Sequence, residues 1–238
     1  MTLFVGIVLS LLFAFVTSTP AELAGYEIYN TTWVAEVRPH GEVVELNGTL
    51  QQVHAQLLRL NPNYNADFHI NMEGLRHIHE GWSMFCINAG CPSTTTTTTT
   101  TSSKLLQDDT VYTFRGFVQT KCLHHDSLAR MKAIDEGVWY LRNVRNARPK
   151  NGPGPNNCGR VSCSWAAGIY WCNDHDEELE VYEFNTIADG AHWAAHMCQF
   201  HPPGVEVVKW GGGQALHVDN WRVVVIHDPS DGCDIPKE

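Results

Sequence analysis

Eight cysteines constrain this chain more than any other feature. An even cysteine count behind an N-terminal export signal reads as four disulfides, and a disulfide framework dictates which strand and helix ends must meet. Leu3 to Val16 is an almost unbroken apolar run ending at Thr17, Ser18 and Thr19. It is too short to span a bilayer comfortably and stops at small residues, as a secretory signal does, although no Lys or Arg precedes it. Residues 1–18 are therefore expected to be a signal peptide, cut after Ser18 or near Ala21. Zinc is the competing use of clustered cysteines, but Cys86 and Cys91, like Cys158 and Cys163, are separated by four residues, too wide for the usual knuckle. Two sequons, at Asn30 and Asn47, offer glycosylation sites to a chain that enters the secretory pathway. Secretion to the extracellular space is the expectation.

Charge narrows the partners. Sixteen Lys and Arg stand against twenty-six Asp and Glu, a formal charge of −10. No basic stripe is available to neutralise phosphates, so nucleic acid is not an expected partner, and an anionic membrane is disfavoured by the same sign. Thirteen histidines qualify this, because their full protonation would turn −10 into +3. No later apolar stretch approaches the length of a membrane span, and a monomer is expected.

Low complexity marks the organisation. Pro92-Ser93, eight threonines from Thr94 to Thr101, and Ser102-Ser103 have nothing to bury and read as a linker over 92–103. It separates an N-terminal segment (19–91), expected to pack on the rest, from a cysteine-rich domain (104–238). In the N-terminal part, Thr32–Val37 and Glu42–Leu46 are β-like. Thr49-Leu50-Gln51-Gln52 has the form of a capping box, opening a helix with Leu50, Val53, Leu57 and Leu60 on one face. In the larger part, Val111–Thr120 alternates as a strand. Met131, Ile134, Val138 and Leu141 then give a helix capped at Asp126 or Ser127. Arg160–Trp165 and Ile169–Asn173 form a hairpin turning at Ala166-Ala167-Gly168. Asn185 caps a second helix carrying Ile187, Ala191, Ala194 and Cys198, and Ala215–His227 reads as a single last strand.

The order β-α-β-β-α-β predicts an α+β fold, a ferredoxin-like sandwich with two helices on one face of an antiparallel sheet. In that topology Cys122 and Cys198 fall at one end, and Cys158, Cys172 and Cys233 at the other. The expected bonds are Cys122–Cys198, Cys163–Cys172 across the hairpin and Cys158–Cys233, with Cys86–Cys91 outside.

The stretch from Asn151 to Trp165, continued by Tyr170-Trp171-Cys172-Asn173-Asp174, resembles the signature of small secreted cysteine-rich fungal proteins related to the Ecp2-type effectors. Val218–Val225, Asn47–Leu57 and Leu60–Asn63 are similar to the same group, so the resemblance covers most of the mature chain. The threonine tract and the Cys86/Cys91 pair depart from the pattern. The resemblance implies fungal secretion and an effector-like role, and brings no catalytic residues with it.

Several constellations could carry chemistry. His192 and His196 stand at i, i+4 on one helix face, the spacing by which zincins hold metal, but Trp193 occupies the place of their catalytic Glu. No metal or other cofactor is therefore expected. Asn173–Glu178 is an acidic loop without calcium-binding register. His124-His125-Asp126 and His227-Asp228 could supply acid/base pairs to an RNase-like site. Ser162-Cys163-Ser164 lacks a nucleophile elbow, and Gly211-Gly212-Gly213 lacks the lysine of a phosphate loop. Trp165, Tyr170 and Trp171 are the binding candidates, since one of two adjacent strand residues must face away from the helices. The leading expectation is a non-enzymatic, effector-like protein that binds an extracellular protein or glycan. A glycan module built on exposed Trp and Tyr is one alternative, and a small hydrolase or nuclease using His and Asp is another. An enzyme would be favoured by convergence of His192, His196 and Asp174 in one pocket.

Overall fold

The computed structural model describes residues 20–80, 116–144, 147–181, 184–202, 208–230 and 233, without the side chains of Ala21, Asn30, Ala147 and Phe184. The expected signal peptide, the threonine tract, and Cys86 and Cys91 with their expected bond lie outside the described residues.

In chain order the elements are β1 (Glu27–Asn30), β2 (Thr32–Glu36), β3 (Val43–Asn47), α1 (Leu50–Leu60), α2 (Tyr64–Asp67) and α3 (Met72–His79). They continue with β4 (Phe117–Cys122), β5 (Ala129–Arg130), α4 (Met131–Asn143), β6 (Ala147–Asn151), β7 (Asn157–Ser164), β8 (Ala167–Asn173) and β9 (Leu179–Glu180). Last come α5 (Phe184–Met197), β10 (Trp210–Gly211), β11 (Gly213–His217) and β12 (Trp221–His227). The fold is mixed α+β, with a six-stranded sheet in the order β1-β7-β8-β12-β11-β4 and a four-stranded sheet β3-β2-β6-β9. Both sheets recruit the N-terminal segment: β1 runs parallel to β7, and β2 pairs with β6. Trp33, Leu50, Leu57 and Ile78 share one buried cluster with Trp139, Trp171 and Val225.

Helices α4 and α5 lie on one face of the large sheet, joined by Arg142 to Asp189 at 2.8 Å. Each approaches at a glycine. A Cβ at Gly137 would sit 2.6 Å from Ser162 Oγ and 2.7 Å from Ile169 Cδ1, and one at Gly190 would strike Phe117. The opposite face is covered as well. Tyr170, Cys158, Cys172, Val224 and Ile226 pack there against Leu23 and Tyr26.

The strand order differs from a ferredoxin-like sheet: β4 lies at the edge, the last strands stand between it and β8, and the expected last strand is two. The chain folds back at Val218-Asp219-Asn220, with Asn220 at φ +57°, so that Gly213 pairs with Val225 and Leu216 with Arg222. Asp and Asn are turn formers that tolerate this left-handed backbone. The added hairpin strand reverses β12, placing the end of the chain beside the β7–β8 turn instead of at the far end of the sheet.

That reversal decides the disulfides. Cys122–Cys198 forms as expected, but the other bonds within the domain are Cys158–Cys172 and Cys163–Cys233, not Cys163–Cys172 and Cys158–Cys233. Two causes combine. The β7–β8 turn is Trp165-Ala166, both at positive φ as in a type I′ turn, so Ser164 faces Ala167 and Cys163 faces Gly168. An irregularity between Arg160 and Ser162 then brings Cys158 opposite Cys172, while the reversed β12 delivers Cys233 to Cys163.

Local signals fared unevenly. The Thr49 N–H donates to Gln52 Oε1 at 2.9 Å, one half of the expected capping box. The first long helix of the larger part begins at Met131, not at the expected caps, because His125–Ser127 forms a 3₁₀ turn and Ala129-Arg130 pairs with Trp210-Gly211. The triple glycine marks a crowded junction. A Cβ at Gly213 would lie 2.9 Å from Cys198 Sγ, and one at Gly211 2.6 Å from Met131 Sδ.

Candidate functional site

Most of the residues singled out from the sequence are used by the fold. Tyr170 and Trp171 are 2% and 0% exposed, so neither supplies the expected aromatic platform. The reason is that both faces of β8 are covered, by the helices on the side of Trp171 and by residues 23–26 on the side of Tyr170. The Tyr170 hydroxyl donates to Asp228 at 2.6 Å, in a buried network with Arg160 and Ser230. Burial acts to raise the Asp228 carboxyl, but the hydroxyls of Ser230 and Tyr170, the Ser230 N–H and the Arg160 guanidinium outweigh it and hold the group below the usual aspartate value. Trp165 remains 36% exposed at the turn, its indole N–H donating to Glu136 Oε2 at 3.0 Å.

The three residues whose convergence would favour an enzyme are committed elsewhere. Asp174 pairs with Arg222, which also reaches the Tyr26 hydroxyl on the face away from the helices. His192 and His196 pack edge to face on α5 with ring centroids 4.1 Å apart. Burial, then the neighbouring charges of His196 and Arg142, push His192 down to about 4, so it is neutral at physiological pH. The acidic loop is structural: Asn173 Nδ2 donates to the Gly152 and Glu177 carbonyls, and Asn173 Oδ1 accepts from the His175 N–H. Asn47 is exposed at the end of β3, accepting from Thr32 Oγ1.

What does converge is a pocket of about 380 Å³ lined by His125, Asp126, Leu128, Phe200, Pro202, Trp210 and His227. It opens at the end of the sheet where β4, β12 and α5 all finish. Phe200 and Trp210 are placed by reciprocal backbone hydrogen bonds of 2.8 and 3.0 Å, an antiparallel bridge that sets their side chains next to one another. Trp210 is fixed further by pairing with Arg130, whose guanidinium lies 5.6 Å from the indole centroid. The Cys122–Cys198 bond joins the two walls, because Cys122 lies three residues before His125 and Cys198 two before Phe200. The His125 ring reaches to 6.3 Å from that of Phe200.

Two of the acid/base pairs expected from the sequence meet here in part. His125 and Asp126 line the pocket together with His227, whereas Asp228 accepts from Tyr170 on the face away from the helices. Neighbours along a strand face opposite ways, so His227 and Asp228 cannot serve one site together. Phe200 was missed in the sequence because it follows a helix end without periodic signal, and only its bridge to Trp210 brings it to the pocket. Apolar rings beside imidazoles and one carboxylate can stack on the C–H face of a small ligand while hydrogen-bonding its hydroxyls.

No protein-family profile matches this chain, and no characterised protein or solved structure does so either.

Proposed function

We propose that the chain is a secreted, disulfide-braced binding protein of effector type, without catalytic activity, that holds an extracellular saccharide in the pocket of Phe200 and Trp210. The observation that carries this reading is that these two residues, bridged through their backbones, line one cavity with His125, Asp126 and His227. A volume of about 380 Å³ falls in the range of small-ligand sites. Phe200 is 40% exposed, an unusual position for an aromatic side chain that a neighbouring strand already orders. The paired cysteines fit an oxidising compartment, and the acidic balance fits a neutral ligand better than a polyanion.

A glycan module built on Tyr170 and Trp171 is set aside by their burial; the platform moves to Phe200 and Trp210. Retention on insoluble chitin and β-glucan tests the reading. The full chain should be retained on at least one, Trp210→Ala and Phe200→Ala should lose retention, and Trp165→Ala should keep it. Equal retention of all variants, or none by the parent chain, overturns the saccharide reading.

A second reading, a hydrolase using His125, Asp126 and His227, is favoured by their lining the same pocket. Against glycoside hydrolysis, the described lining residues include one carboxylate where that chemistry uses two. Turnover of glycans or RNA that disappears in both His125→Ala and His227→Ala would establish it.

A further inference from the structure

We infer that His124, His125 and Asp126 form a binding site for a divalent first-row transition metal of the zinc or copper class, at the polar corner of the pocket. His124 Nδ1 lies 3.2 Å from Asp126 Oδ2, and His125 Nε2 lies 3.0 Å from Asp126 Oδ1. One donor atom from each of the three residues falls within 4.8 Å of the other two. Ligands held 2.0–2.1 Å from a tetrahedral metal sit about 3.3 Å from one another, so the two imidazoles already flank the carboxylate at the edge length of a coordination polyhedron. The ring centroids are 4.0 Å apart, and both rings turn a nitrogen toward the same carboxylate.

The backbone beneath is braced. The Ser127 N–H donates to the His124 carbonyl at 2.9 Å, the next residue, Leu128, is buried, and Cys122 anchors the segment to α5. A metal entering between the donors would require side-chain rotation and no refolding. It would replace hydrogen bonds that are exposed and therefore weak, since the His124 and Asp126 side chains are 68% and 76% exposed.

The donor set selects the ion. Two imidazoles and one carboxylate suit Zn²⁺, Cu²⁺ or Ni²⁺ better than Ca²⁺ or Mg²⁺, which prefer all-oxygen shells. Thiolates do not compete, because the described cysteines are all in disulfides. The other described grouping of candidate ligands, Cys163, Asp228 and Cys233, is closed by its own disulfide. Three protein ligands would leave at least one position open, and two of the three, His125 and Asp126, also line the cavity that holds His227, Trp210 and Phe200. A metal there would accept a hydroxyl or carboxylate of a ligand stacked on the rings. The inference shares the pocket with the saccharide reading but stands apart from it: a chain that binds Zn²⁺ and ignores glucan keeps the one and loses the other.

The test is calorimetric titration of Zn²⁺ into the full, untagged, folded chain, repeated with Cu²⁺ and electron paramagnetic resonance to count nitrogen ligands. One equivalent should bind, with two imidazole nitrogens on Cu²⁺. His124→Ala, His125→Ala and Asp126→Asn should each weaken Zn²⁺ by at least about tenfold, as removal of supporting groups alone does at established sites. These positions are exposed, so thermal unfolding of the variants should match the parent and separate lost binding from lost folding. The His192→Ala/His196→Ala double variant should bind as the parent does. Absence of saturable binding, unchanged affinity in the three single variants, or loss of the site in the His192/His196 variant would overturn the assignment.

Discussion

Replacing Cys122 and Cys198 by serine removes the bond that ties the two pocket walls together, and its cost can be set against that of the short Cys158–Cys172 loop. The bonded residues are 76 and 14 positions apart. Loop-closure entropy in the unfolded chain then gives about 4.5 kcal/mol at 25 °C for the long loop and about 3 kcal/mol for the short one. The other cross-links shorten the effective long loop, which brings the first figure nearer to about 4 kcal/mol. The difference of about 1 kcal/mol is readable by urea unfolding followed through tryptophan emission, with the two double variants compared under identical conditions. The geometry adds a second, qualitative contrast. Cys122→Ser/Cys198→Ser frees the segment of His125 and Asp126 from that of Phe200, so saccharide retention should fall even where the chain remains folded. Cys158→Ser/Cys172→Ser, at the far end of the sheet, should leave retention intact. An equal or larger loss of stability in the short-loop variant, or a loss of retention there alone, would refute the reasoning.

Other outcomes follow from the buried groups. Tyr170→Phe removes a hydroxyl that donates to the buried Asp228 carboxylate and should cost about 2 kcal/mol near neutral pH. Because the Asp228 carboxyl is held below its unfolded value, its stabilisation is present above the unfolded value near pH 4 and is lost as pH falls through the folded one; chemical unfolding at a series of pH values should show the gap between parent and variant closing in acid. His192 acts in the same direction, because burial favours its neutral form in the folded chain and acid charges it. Stability should decline as pH falls from 6.5 to about 4, by up to roughly 3 kcal/mol, and His192→Gln should flatten that decline in thermal unfolding. Gly137→Ala gains helix propensity of about 1 kcal/mol but drives a methyl into Ser162 and Ile169, so a net loss of about 1–2 kcal/mol is expected by urea titration.

His124-His125-Asp126 and His227 stand out in the sequence as polar clusters beside apolar surroundings, and Trp210 as one of eight tryptophans. Nothing local says that they share a cavity. Three long-range features decide it: the turn at Asp219-Asn220 that brings β12 back to the end where β4 finishes, the bridge from Phe200 to Trp210, and the disulfide from Cys122 to Cys198. Tyr170 and Trp171 illustrate the converse. Alternation correctly separates them onto two faces of β8, but whether the second face is bare depends on Leu23 and Tyr26, more than 140 residues earlier in the chain.

By itself the sequence determined the mixed α+β class, helix α1 and half of its capping box, and the Cys122–Cys198 bond. The class and the helix follow from periodicity and caps, signals that act over a few residues. The bond, between residues 76 positions apart, follows from the alternating directions of strands and helices, which put the end of the first strand and the end of the second helix on one side. The tertiary structure alone decided the strand order, the other two disulfides and the membership of the pocket. Those depend on direction. A turn shifted by two residues changes which cysteines face each other across a hairpin, and a hairpin read as one strand sends the chain end to the wrong side of the sheet. Hydrogen-bond register and burial on both faces, summed over the whole fold, set these choices, and no short window of sequence contains them.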